Sequence, residues 1–173
     1  EAIHRIGYDG WWSLEIFNDR FRAGSASGVA VDGFRSLQLM HDQVAERPRT
    51  IIGRSMPPRV DVKGVEFLEF ALERDIRNQE ALGAMLGALG FAPIAKHRTK
   101  AVTRWTQGSI NLVINCEPDG FAHSFDLVHG ASVCAIGLRV ADVPAAMARA
   151  AALAIARFDQ AVGPDEMQIP SVR

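Results

Sequence analysis

The order of its apolar runs predicts that this chain combines an α/β segment with an α+β module. An aromatic and aliphatic run, Trp11 to Phe17, is typical of a strand, and a polar loop and a helix up to Glu46 follow it. From residue 63 onward, strands and helices follow the order of paired βαβββ units. We therefore predict the last strand and helix of a (β/α)8 barrel at 1–46, a proline-bearing linker at 47–62 and the βαβββ module at 63–173.

The first βαβββ unit is predicted from periodicity and from glycine stops. The pattern indicates a strand at 65–72, a helix at 78–89, and strands at 91–97, 102–106 and 110–115. Gly90 directly follows the helix and marks its end. Four apolar residues recur on one face of this helix: Leu82, Met85, Leu86 and Leu89.

The second unit repeats this order less completely. We predict a short helix at 121–129, a strand at 133–140, an alanine-rich helix at 144–154, and strands near 157–162 and 167–172. If the second unit is present as predicted, we expect its last strand to be missing at the C-terminus. Together, the two units would form one mixed, curved sheet with helices packed on its outer face.

Composition excludes several classes of protein. With 19 basic and 20 acidic side chains, the net charge of −1 favours neither a nucleic acid nor an anionic membrane as partner. No apolar run is long enough to span a membrane, and the first residues do not resemble a signal peptide. Cys116 and Cys134 lack the spacing of a zinc site or disulfide framework, so we expect reduced core thiols in a cytoplasmic protein. The chain does not begin with Met, which fits a fragment and equally fits a processed terminus.

Glu15 is the first candidate for chemistry. It lies within the apolar run at 11–17, and the C-terminal end of a barrel strand is where such folds place metal ligands and catalytic groups. From these residues alone, a surface carboxylate on an alternating strand is the more common interpretation. Both interpretations stay open at this level.

Other polar groups give weaker indications of a functional site. His123 and His129 would point about 240° apart on one helix, so they cannot share a metal from it. The basic turn at 97–100 could hold an anion, but a solvated hairpin is favoured because no glycine-rich nest accompanies it. No serine has the context of a nucleophile elbow, and the stretch from Gly83 to Gly87 is a helix interior, not a phosphate loop.

Two sets of motifs, one after the other along the chain, resemble two known protein families. The N-terminal motifs resemble the end of the sugar-phosphate isomerase-like barrel of bacterial 3-dehydroshikimate dehydratases: Gly7-Tyr8-Asp9-Gly10, Ser13-Leu14-Glu15-Ile16-Phe17-Asn18 and Phe21-Arg22. The later motifs resemble the N-terminal module of 4-hydroxyphenylpyruvate dioxygenase: Val65-Glu66-Phe67-Leu68-Glu69-Phe70-Ala71, Leu89-Gly90-Phe91, His97-Arg98-Thr99-Lys100, Gln107-Gly108-Ser109-Ile110-Asn111, Asn115-Cys116-Glu117-Pro118, His129-Gly130 and Ile169-Pro170. Together they resemble a family in which the dehydratase barrel is fused to a dioxygenase-like region of the vicinal oxygen chelate superfamily. The chain would then be an internal piece spanning the junction.

The resemblance implies a metal site and a reaction. In that family the barrel binds a divalent metal (Mg, Mn or Co) through four residues, and the acid of the Ser-Leu-Glu motif maps onto Glu15. The other ligands and the catalytic base would lie in strands that this chain does not contain. The implied reaction is loss of water from 3-dehydroshikimate to give protocatechuate, in quinate and shikimate catabolism. We expect residues 1–173 alone to be inactive and the complete enzyme to be a homo-oligomer.

The dioxygenase-like module is expected to bind no iron itself. Metal-binding modules of that superfamily place a His on the first strand of each unit, and the matching positions here are Phe67 and Ala135. Fe(II) would belong to a downstream module with two His and one Glu. Two alternatives follow: a non-haem iron dioxygenase resembling 4-hydroxyphenylpyruvate dioxygenase, which acts on an aromatic 2-oxo acid, or a noncatalytic module for structure and oligomerisation.

Overall fold

Two units make up the part of the chain that the structure describes. The computed structural model describes residues 2–8, 10–45, 56–164 and 166–173, apart from the side chains of His4, Arg22, Val44 and Ala45. We call residues 61–141 the sheet unit, and residues 1–60 with 142–173 the terminal unit. The linker predicted at 47–62 falls mostly outside the described residues.

From residue 62 onward, most of the helices and strands agree with the predicted ones. The helices are α1 (Ala2–Arg5), α2 (Ala26–Ala45), α3 (Ile76–Ala88), α4 (Gly120–His129) and α5 (Val143–Ala152). The strands are β1 (Val62–Ala71), β2 (Ala92–Lys96), β3 (Val102–Gln107), β4 (Ile110–Asn115), β5 (Ser132–Val140), β6 (Arg157–Phe158) and β7 (Ser171–Val172). Within the described ranges, every helix is too short or too polar to span a lipid bilayer.

The N-terminal region differs from the prediction in two ways. The strand expected over Trp11 to Phe17 is not formed: the segment has no regular structure, because no described strand pairs with its backbone groups. The following helix is longer than predicted and begins at Ala26, within the expected loop. The Ser25 hydroxyl accepts a hydrogen bond from the Gly28 amide at 3.4 Å, as a capping serine does at a helix start.

The sheet unit contains five strands in the order β2-β3-β4-β1-β5. β1 runs parallel to β4 with Leu68 opposite Leu112, and it runs antiparallel to β5 with Leu68 opposite Ile136. Helix α3 begins where the Asp75 side chain accepts a hydrogen bond from the Arg77 amide at 2.9 Å. The core joins this helix to one face of the sheet through Leu72, Leu86, Leu112, Ile114 and Cys116.

The expectation of one continuous sheet is wrong. β6 and β7 pair with each other in a separate two-stranded sheet, with Arg157 opposite Val172 and Phe158 opposite Ser171. In the first βαβββ unit, β4 lies between β3 and β1 and so joins the β2–β3 pair to β1. Among the described strands, neither β6 nor β7 pairs with β5.

Gly137 of β5 lies directly against an aromatic ring of β1. A Cβ atom placed on Gly137 would clash with the ring of Phe67, the residue opposite it in the register. We expect Gly137→Ala to lower the free energy of unfolding by about 1–3 kcal/mol, because the ring must move out of its position. Urea unfolding monitored by circular dichroism measures this change.

The matched variants for this prediction are Phe67→Ala and Gly87→Ala. In the Phe67→Ala background, Gly137→Ala should cost much less, because the ring that it meets is gone. Gly87 lies in α3 with no atom within 4 Å of an added Cβ, so Gly87→Ala should stabilise the chain by up to about 1 kcal/mol. An equal cost of Gly137→Ala with and without the Phe67 ring would contradict the predicted clash.

A buried ion pair holds the terminal unit together. Arg149 of α5 pairs with Asp42 of α2, and the two side chains are only 11% and 10% exposed. Nη1 of Arg149 also donates to the carbonyl oxygen of Pro57 at 2.6 Å. Arg35 of α2 donates to the carbonyl oxygen of Leu153 at 3.0 Å, beyond the last turn of α5. These bonds join residues that are more than 90 positions apart in the sequence.

Candidate functional site

Glu15 lies in the irregular segment that precedes α2. Cδ2 of Leu14 lies 3.3 Å from where a Cβ on Gly33 of α2 would be, so Leu14 packs closely on the helix at this glycine. The segment ends at Asn18, whose side chain accepts a hydrogen bond from the Arg20 amide at 3.0 Å and begins a 3-10 turn. Glu15 is exposed, and its carboxylate makes no hydrogen bond or ion pair with any described residue.

The described residues supply one candidate metal ligand and not a complete site. A carboxylate with no other partner is a suitable ligand for a hard divalent cation. No group of three or more His, Cys, Asp or Glu side chains comes together within the described ranges. The structure therefore leaves the Glu15 carboxylate available, and any further ligands would have to come from elsewhere.

Phe67 and Ala135, the two positions where metal-binding modules would have a His, lie on the same face of the sheet. Phe67 lies opposite Gly137, and Glu69 lies opposite Ala135, on either side of the Leu68–Ile136 pair. Alternation along the strands places Phe67 and Ala135 on the face opposite Leu68 and the core cluster. Neither side chain has a ligand atom, and both are half-buried.

Glu69 is a polar residue of this face that the sequence analysis did not select. Its Oε1 accepts a hydrogen bond from Nδ2 of Asn115 on β4, at 2.7 Å. The Asn115 side chain in turn accepts from the Glu117 amide at 3.0 Å. Side chains along a strand alternate between the two faces of the sheet, which places Glu69 on the same face as Phe67. This alternation could have identified Glu69 from the sequence. The arrangement links β1 to β4 and to the turn after β4.

The basic turn at 97–100 forms the hydrogen-bonded hairpin that the sequence favoured. Nδ1 of His97 accepts hydrogen bonds from the amides of Thr99 at 3.3 Å and Lys100 at 3.1 Å. On α4, the ring of His129 packs on Phe125 with centroids 4.4 Å apart. His123 and His129 belong to no group of three potential metal ligands among the described residues.

Both cysteines are free thiols in surroundings that disfavour the thiolate. Burial raises the pKa of Cys116, and the charges of Asp126 and Glu117 act in the same direction. Burial also raises the pKa of Cys134 to about 11, with a further contribution from the Glu69 charge. Neither thiol is therefore an activated nucleophile at neutral pH.

The raised pKa of Cys134 predicts a loss of stability at high pH. The folded state holds the thiol proton more tightly than the unfolded state, whose thiol has the ordinary pKa of 9.0. Its contribution is fully present below pH 9 and is lost as the pH rises toward 11. Urea unfolding across this range should show a smaller decline in Cys134→Ala than in the unmodified chain. Equal declines would show that the thiol does not contribute.

Comparison with known proteins assigns the chain to a family. The family model described as "Hydroxyphenylpyruvate dioxygenase, HPPD, N-terminal" matches residues 57–173. The chain belongs to this family. As a member of the HPPD N-terminal family it has the mixed sheet described above, and the resemblance of its later motifs to that module is confirmed.

Longer relatives match both the N-terminal segment and the dioxygenase-like module of this chain. It is 46% identical over 182 residues to a 3-dehydroshikimate dehydratase of Pseudomonas putida, covering 99% of this chain and 28% of the relative. A 3-dehydroshikimate dehydratase of Pseudomonas aeruginosa is 43% identical, with 96% and 27% covered. The chain thus spans just over a quarter of the length of these relatives. The resemblance of the N-terminal motifs to such dehydratases is confirmed.

A solved structure supports the predicted fold class. A protein described as a xylose isomerase-like TIM barrel/4-hydroxyphenylpyruvate dioxygenase fusion protein matches with a TM-score of 0.81 and 44% sequence identity. The match covers 96% of this chain and 28% of that one. The order of a barrel end and a dioxygenase-like module is therefore found in a solved protein of the same fold.

Proposed function

We propose that this chain is part of a metal-dependent 3-dehydroshikimate dehydratase, a lyase that removes water from 3-dehydroshikimate to give protocatechuate. The observation that supports this most is the extent of the similarity. The family model begins at residue 57, whereas the dehydratase of P. putida matches over 99% of the chain. The similarity therefore includes the segment around Glu15, which a dioxygenase N-terminal module alone does not explain.

Glu15 is the proposed metal ligand of this chain, for Mg, Mn or Co. When bound, such an ion would polarise the substrate ketone and favour loss of the adjacent proton. The chain contributes an exposed, negatively charged oxygen ligand on a segment held by Leu14 against Gly33. The remaining ligands, the base and most substrate contacts belong in this proposal to parts of the enzyme outside residues 1–173.

The domain boundaries follow the same proposal. Residues 1–46 would complete the barrel, 47–62 would connect the domains, and 63–173 would form the dioxygenase-like module. Phe67 and Ala135 lack ligand atoms, and the Phe67 ring fills the space beside Gly137, so the module would support the barrel and the assembly of a homo-oligomer. Two buried or half-buried free thiols suit a reducing compartment, so we place the enzyme in the cytoplasm.

A 4-hydroxyphenylpyruvate dioxygenase-like activity is the second candidate. The family match over 57–173 favours it, because the family is described by that enzyme's N-terminal region. It would require Fe(II) on two His and one Glu in a module outside this chain.

The substrate distinguishes the two candidates. The uninterrupted gene product is incubated with 3-dehydroshikimate and a divalent metal, and protocatechuate is measured by chromatography. The same protein is then incubated with 4-hydroxyphenylpyruvate, Fe(II) and oxygen, and oxygen consumption is measured. Protocatechuate formation supports the dehydratase. Oxygen consumption without protocatechuate would support the second candidate instead.

A further inference from the structure

A cavity of about 310 Å³ lies within the sheet unit, between helix α3 and the sheet. It is separate from the face that contains Phe67 and Ala135, because its floor belongs to the core side of the sheet. Trp105, Ile114 and Cys116 form this floor, and Leu82 and Leu86 line the cavity from helix α3. The volume is within the range of small-molecule sites.

The polar part of the cavity is positively charged. Arg74, which precedes α3, and Lys96 at the end of β2 both line it, together with Gln79 and Thr103. No Asp or Glu belongs to the lining. Lys96 pairs with Thr103 through its backbone, but neither the Arg74 guanidinium nor the Lys96 ammonium makes a hydrogen bond or ion pair with a residue in the described part of the chain. Both charged groups are therefore available to an anion.

Gly83 leaves space beside the aromatic ring of the cavity. A Cβ on Gly83 would lie 3.5 Å from Cζ2 and Cη2 of Trp105, which is an ordinary contact distance. With glycine at this position, part of the Trp105 ring faces the cavity instead of a side chain of α3. An aromatic ligand could pack on the indole there, at the offset or edge-on distances that aromatic pairs prefer.

The geometry points to a binding site for a small aromatic carboxylate in this cavity. The ring would occupy the apolar floor beside Trp105, and the carboxylate would face Arg74 and Lys96. Charge-assisted hydrogen bonds to a guanidinium and an ammonium suit a carboxylate, and Arg can bind it through two parallel bonds. The site is independent of the proposed dehydratase reaction, because it uses neither Glu15 nor the face of Phe67.

Benzoate is the probe for this site, and calorimetric titration of the uninterrupted gene product measures its binding. Benzamide has the same shape without the charge, and acetate has the charge without the ring. We expect benzoate to bind at least about tenfold more tightly than either, because each control loses one of the two contacts. Equal affinity for benzoate and benzamide, or no binding of benzoate, would overturn the proposal.

Substitutions then assign the binding to this cavity. Arg74→Gln with Lys96→Gln should weaken benzoate binding about tenfold or more, whereas Arg77→Gln on the same helix should leave it unchanged. Gly83→Leu retains both cations but fills the cavity, and should also weaken binding. Gly87→Leu, where an added Cβ meets no atom within 4 Å, is its control. Benzoate binding that is the same in all four variants would place it elsewhere and overturn the proposal.

Discussion

Glu15→Gln in the uninterrupted gene product is expected to lower metal affinity and dehydratase activity by at least about 100-fold. Glutamine keeps the size of the side chain but removes the negative charge that a divalent cation requires from a carboxylate ligand. Metal affinity is measured by calorimetric titration of the metal-free protein, and activity by protocatechuate formation.

The stability of the Glu15→Gln variant distinguishes a metal ligand from a residue that stabilises the fold. Glu15 is exposed and has no partner among the described residues, so the free energy of unfolding without metal should change by less than about 0.5 kcal/mol. Glu80→Gln, at an exposed position of α3, is the control and should retain both metal affinity and activity. A Glu15→Gln enzyme with unchanged metal dependence would remove Glu15 from the proposed site.

Asp42→Asn is expected to cost about 3–5 kcal/mol of stability, because it leaves the charge of Arg149 buried without its partner. Both side chains are nearly nine-tenths buried, and the remaining acceptors of Arg149, the Pro57 carbonyl oxygen and the amide oxygen of the new side chain, carry no negative charge. Urea unfolding measures the loss. The control is Asp159→Asn, which breaks an ion pair to Arg157 in which the side chains are 57% and 67% exposed. That change should cost less than about 1 kcal/mol.

A double variant tests whether the cost arises from the unpaired charge. Asp42→Leu with Arg149→Leu removes both charges and should be less destabilised than the two single substitutions added together. Additive costs, or a cost of Asp42→Asn as small as that of Asp159→Asn, would show that the buried pair does not contribute as described.

The elements of the sheet unit were predictable because their signals are local. Alternation along β1 and β4 and the glycine after α3 are properties of neighbouring residues, and they placed these elements to within a few positions. The expected strand at 11–17 did not form, because a strand depends on a neighbour that the segment does not have within the described residues. The prediction that β6 and β7 would join the main sheet was wrong for the same reason, because the choice of a pairing partner is not a local property of a strand's own sequence.

The candidate site was harder to predict from the sequence than the fold. Glu15 is one acid in an apolar run, and only the resemblance to a known family gave it a role. The pairing of Asp42 with Arg149 joins residues 107 positions apart, and no local pattern predicts such a pair. The cavity beside Trp105 depends in the same way on where α3 packs on the sheet.

The most direct measurement is protocatechuate formation from 3-dehydroshikimate by the uninterrupted gene product, before and after removal of its metal. The proposed function predicts that product forms, that a chelator abolishes it, and that Mg, Mn or Co restores it. The Glu15→Gln enzyme should show little product at any of these metals. Absence of protocatechuate with every metal, from a folded protein, would contradict the assignment as a metal-dependent dehydratase.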